Sequence, residues 1–315
     1  MTRVAAAQRR ELWLLAAVPT GVLGLLAATV LSRPLGHPPS DYPRLLALLA
    51  GMTLLGTCVV LRLEDPQRRS ALAARLWRWR LGVAAVWLVA ELALLVTSAG
   101  EASGGSLTTV RASTVLSYVR VLTNGRVSML VCACVLGALL MAATDRRGEW
   151  ASGPVAMLAV VALIARPLTG HSEISALAQV SIVAHVLAAS LWCGGLVVLA
   201  VVAGRARGTW ARMLPRFSRL AGWCAAVVAV SGVLNALLQL GGVSTLLSSG
   251  YGRLVLGKIA ALVVLVGLGW FARRCWVPDA GSHRTPGEVS LRRATVEVAA
   301  MGLALGLATA LATTG

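Results

Sequence analysis

Apolar runs long enough to cross about 30 Å of hydrocarbon recur nine times along this chain, and they leave little room for anything else. They fall at roughly 11–31, 45–61, 81–99, 127–144, 150–165, 175–203, 220–240, 254–271 and 294–312. Only 13% of residues are charged, where a soluble domain carries about a quarter, and mean hydropathy is +0.79. Inside lipid every backbone N–H and C=O must be satisfied within its own segment or a closed barrel. Runs of this length therefore predict an all-α, polytopic integral membrane protein of about nine transmembrane helices, with the lipid bilayer as its main partner. No stretch reads as a separate soluble domain. The 11–31 run lacks a small-x-small exit and reads as a first membrane helix, not a cleaved leader.

Orientation follows from the basic residues. With the N-terminus cytoplasmic and the C-terminus external, 21 of the 29 Lys and Arg fall in the inner segments, as the positive-inside rule requires. The net charge of +17 thus reflects topology, and nucleic acid is not an expected partner. Two inner stretches, RRSALAARLWRWR and RARGTWARMLPRFSR, interleave Arg with Trp and are expected to lie on the inner leaflet. SLTTVRASTVLSYVRVLTNGR, ahead of the fourth run, has the alternation of a surface helix. A weak repeat, STVLS at 113–117 and STLLS at 244–248, each followed by Gly-Arg, hints at duplicated helix groups. The chain is divided here into an N-terminal four-helix region, 1–149, and a five-helix region, 150–315, of one integrated bundle.

Polar groups inside the apolar runs are the candidates for function, because they are costly there. His185 lies within the sixth run, about 7–8 Å outward of its centre, with Trp192 and the small residues Ala188 and Ala189 on its face. It is either a metal ligand or a histidine hydrogen-bonded to a neighbouring helix. His171 stands fourteen residues earlier, about 21 Å away if one helix carries both, too far to share an ion. The two could mark successive positions on a route inward. His37 and His283 read as solvated loop residues. Glu91, Lys258 and Glu297 are intramembrane charges; Glu91–Lys258 is one candidate pair and Arg293–Glu297, at i,i+4, another. Ser231, Asn235 and Gln239 make a polar stripe of the kind that joins helices. Tyr251 shares a face with Lys258. Six cysteines, with no CxxC, predict neither a disulfide framework nor structural zinc. Met52, Met129 and Met301 could offer soft thioethers, or simply pack.

From Gly170 to Glu297 the sequence resembles the copper resistance D (CopD) family. The resemblance rests on Gly170-His171; His185 with Trp192, Gly194 and Gly195; Arg216-Phe217-Ser218; Gly232 with Asn235; Tyr251-Gly252-Arg253; and Lys258. It implies a multi-pass protein of the cytoplasmic membrane involved in copper homeostasis, with an extracytoplasmic copper-binding protein as a candidate partner. On that resemblance copper, as Cu(I), is the expected ion, and His185, His171, Met129 and Cys132 the candidate metal residues, with Asn235 as an amide neighbour. Glu91 and Glu297 are candidate proton carriers. Some relatives carry a histidine in the first helix; this chain has none there, so a site that needs it must be built differently. No nucleotide-binding loop or pump-type phosphorylation motif is evident, and a transporter rather than an enzyme is expected. A membrane module that binds copper and delivers it to an oxidase is the alternative. A haem oxidoreductase would need paired histidines within the bundle, and only His185 qualifies.

Overall fold

A computed structural model describes residues 17–31, 38–104, 110–146, 150–169, 176–239, 250–282 and 284–314. Within them the chain is helical, with no strand. The helices are α1 (Ala17–Leu31), α2 (Asp41–Leu63), α3 (Pro66–Ala102), α4 (Ala112–Val121), α5 (Thr123–Thr144), α6 (Ser152–Thr169), α7 (Ala176–Ala203), α8 (Arg207–Gln239), α9 (Gly250–Phe271) and α10 (Gly287–Thr314). A π-helical turn, Ala272–Trp276, and a last turn, Val277–Gly281, prolong α9. Among the described residues seven helices are long and apolar enough to cross a membrane, and α1 and α6 are shorter apolar helices. The protein is an all-α, polytopic membrane protein, and among the described residues each apolar run read from the sequence overlaps one of these helices.

Local chemistry sets the ends. Glu64 and Asp65 turn extended before Pro66, which disfavours helix in the residue it follows and opens α3 at its first position. Gly104 (φ +67°) and Gly204 (φ +48°) take the left-handed conformation just past α3 and α7, where a side chain would be strained. The surface helix expected before the fourth run is α4, which buries none of its residues.

The two Arg/Trp stretches depart from expectation. They do not form separate surface pieces but are the first turns of α3 and α8, which run unbroken for 37 and 33 residues. At 1.5 Å per residue α3 is about 55 Å long, so its basic turns extend past the hydrocarbon without leaving the helix. Indole hydrogen bonds hold them to the bundle. Trp77 Nε1 donates to Ala142 O at 3.0 Å, and Trp210 Nε1 to Gly204 O at 2.8 Å. Trp210 also packs on Trp276, with ring centroids 5.5 Å apart, and Trp276 Nε1 donates to Ser290 Oγ at 3.0 Å.

The chain forms two compact units. One is Pro38–Ser190. In it α2 packs on α3 and α6, and α5 on α3 and α6, closing a four-helix ring. The other comprises α1 and everything from Leu191 onward; there α1 lies along α10, and α9 contacts both. The division expected at residue 149 falls inside the first unit, and the first helix packs with the last ones. Helix α7 contributes to each unit.

Candidate functional site

In the Pro38–Ser190 unit the interior polar centre is built on Glu91. Trp87, one turn earlier on α3, donates its indole N–H to Glu91 Oε1 at 3.0 Å. Arg166 Nη1 of α6 stands 2.6 Å from Glu91 Oε2. That contact is ionic, not an aligned hydrogen bond, since Oε2 meets no donor in hydrogen-bond geometry. Arg166 Nη2 donates to Ser128 Oγ of α5 at 3.4 Å. Ser128 in turn donates to Asn124 O at 2.9 Å. Glu91 is 2% exposed and Trp87 1%, and Trp87 fits only because Gly51 has no side chain. A Cβ there would stand 2.8 Å from the indole. The buried Cys132 lies within electrostatic reach of both Glu91 and Arg166. Nearer one end of the bundle, Ser40 N–H donates to Glu101 Oε1 at 2.8 Å, and Arg44 Nε stands 4.0 Å from Asp41 Oδ1.

The sequence did not point to this pair. Glu91 meets Arg166 and not Lys258, because α3 and α6 belong to one bundle and Arg166 reaches back from the end of its apolar run. Lys258 is half-buried on α9.

In the other unit Trp192 of α7, Phe217 of α8, Trp270, Arg273 and Trp276 around the π turn, and Glu297 of α10 line a cavity of about 300 Å³. The rest of its wall is largely aliphatic. Arg273 Nη2 donates to Ser218 O at 3.1 Å. Glu297 does not form the expected local pair with Arg293, whose Nη1 is buried without a hydrogen-bond partner. The polar stripe on α8 also differs from expectation. Ser231 Oγ turns back to its own helix at Val227 O, 2.5 Å away, and Asn235 Oδ1 is buried without a partner. The side chains of Gln239 and Tyr251 lie outside the described residues.

His185 is half-buried on α7, two turns before Trp192 and on the same face. His171, His37, His283 and the second copy of the weak repeat lie outside the described residues. Met129 is 47% exposed on the outer surface of its bundle, not turned to the interior. Among the described residues no three His, Cys, Asp or Glu side chains converge as a metal cage. One soft-donor neighbourhood was missed from the sequence. Cys193, beside Trp192, lies within electrostatic reach of Cys224 on α8. Thirty-one residues separate them in sequence, so no spacing rule marks them.

Two members of the motif set have architectural work. Gly195 lets α7 approach α8, since a Cβ there would stand 2.7 Å from Phe217 Cε2. Arg253 Nε donates to Leu31 O at 2.8 Å, closing the C-terminal end of α1.

Comparison with protein families gives two matches. Residues 42–180 match the family described as Copper resistance protein D-like, N-terminal domain, and residues 211–311 match Copper resistance protein D. No curated protein and no solved structure matches the chain. The N-terminal match lies within the Pro38–Ser190 bundle and the C-terminal match within the unit that carries the Trp192–Glu297 cavity. With both parts matched in order along residues 42–180 and 211–311, this chain belongs to the copper resistance protein D family.

Proposed function

We propose that the protein moves copper ions across the cytoplasmic membrane, without enzymatic activity of its own. Copper is the cargo. Family membership supports a role in copper resistance or homeostasis. The observation that carries the finer reading is His185, an imidazole kept in a 28-residue apolar helix at a cost that lipid-exposed histidine would not sustain. Imidazole and thiol are donors that copper accepts, and Cu(I) favours the softer of them. Along the same helix come Trp192 and Cys193, and Trp192 lines the cavity that Glu297 also lines. In this reading copper passes His171, then His185.

The test is copper accumulation by cells, and by vesicles holding the purified protein. His185→Ala should lower the rate at least tenfold, with membrane abundance unchanged. Transport at the wild-type rate in that variant would remove His185 from the mechanism. Bound copper without flux in the wild type would point instead to delivery toward an oxidase.

A further inference from the structure

We infer that the Pro38–Ser190 bundle encloses a small monovalent inorganic anion, of the halide class, on the guanidinium of Arg80. Arg80 is 0% exposed, and its Nε, Nη1 and Nη2 are all buried without a hydrogen-bond partner. A guanidinium cannot shed its charge. Burying it uncompensated is among the most costly arrangements a protein interior can hold. Its position is not an accident of a surface stripe. Arg80 falls between the buried Leu76 and Ala84, in register with the buried Trp87 and Glu91 of the same helix. That three-and-four spacing points it into the bundle.

The neighbouring charges do not neutralise it. On α2 the thiol of Cys58 lies within electrostatic reach of the buried Arg80 and of Arg62, which is exposed and so leaves Arg80 the one enclosed cation there among the described residues. Thr57, 3.9 Å from that thiol, donates its hydroxyl hydrogen bond to Leu54 O. Among the described residues, Glu64 and Asp145 at this end of the bundle are engaged by backbone donors. Glu64 Oε1 accepts the Asp65 N–H at 3.1 Å. Asp145 Oδ2 accepts those of Trp150 and Ala151 at 3.2 and 2.8 Å. Glu91, about three turns along α3, is taken by Arg166. An anion from solution would supply the partner that these described carboxylates do not give Arg80. Complete enclosure argues for a small inorganic ion over a headgroup tethered to acyl chains. One guanidinium without a second paired cation argues for a single charge.

The proposal is independent of copper transport. It is tested on the purified full-length protein in neutral detergent, by thermal unfolding in sodium chloride or bromide against sodium gluconate at equal ionic strength. Chloride and bromide should raise the Tm saturably, by roughly 5 °C at saturation, where bulky gluconate does not. Arg80→Met should abolish that rise and, in gluconate, should unfold at a higher temperature than wild type. Arg80→Lys, which keeps the charge and loses the planar fork, should need roughly tenfold more chloride. If Arg80→Met does not fold, the wild-type titration and Arg80→Lys decide the matter. A wild-type Tm indifferent to halide would overturn the assignment. So would a full halide response in Arg80→Met, or in gluconate an equal stabilisation by phosphatidylglycerol.

Discussion

Arg166→Ala is expected to destabilise the Pro38–Ser190 bundle by about 3–5 kcal/mol, the usual cost of leaving one member of a buried ion pair alone. Glu91 would then keep only the Trp87 indole as a donor. Ser128 would lose the Arg166 contact but keep its own bond to Asn124 O, so the damage should centre on the carboxylate. Glu91→Ala should cost a similar amount by removing the carboxylate from Arg166, slightly less because the guanidinium keeps Ser128, is part-exposed at 22% and can turn outward. The double variant Glu91→Leu/Arg166→Leu should recover much of the loss, since apolar residues of suitable volume often replace a buried pair at little cost. Thermal unfolding of the four proteins in one detergent checks this. If the two single losses simply add in the double variant, the pair is not coupled and the proposed centre of the bundle is wrong.

How much of this was legible in the sequence depended on whether a signal was local. Apolar length alone placed the membrane helices, because in lipid there is no alternative way to satisfy their backbones. Glu91 was legible as an interior charge for the same reason. Its partner was not, because α3 and α6 are brought together by ring closure of the bundle, and nothing local in the sequence links Arg166 to Glu91. Arg80 was misread in an instructive way. Taken with its neighbours it belongs to a basic surface stretch, yet its spacing from Leu76, Ala84 and Trp87 is that of a buried position. The helix period, carried upstream from the apolar run, would have separated it from Arg75 and Arg78. Arg253 and Gly195 were noted as family marks, and only the packing showed that they fix α1 and α7 in place.

Gly306→Leu is expected to detach α1 from α10 and to lower the Tm by roughly 5–10 °C, an overpacking penalty at the upper end of the usual range. Gly302 and Gly306 form the small-xxx-small pattern by which membrane helices approach backbone to backbone. A Cβ on Gly306 would stand 2.9 Å from both Gly24 Cα and Leu25 N, and would also meet Gly21 O. A Cβ on Gly302 would stand 2.7 Å from Ala17 O and also meet Thr20 Oγ1. These neighbours are largely backbone, so no rotamer change relieves the clash, and α1 must move as a body. Arg253 would lose Leu31 O with it. Gly306→Ala should already cost a measurable part of this. Gly267→Ala and Gly267→Leu are the matched controls on α9, where an added Cβ meets nothing within 4 Å. Equal Tm values for Gly306→Leu and Gly267→Leu would mean that α1 is not seated on α10 through these glycines. If α1 is seated there, its loss should leave the Glu91–Arg166 coupling intact, because that pair belongs to the other unit.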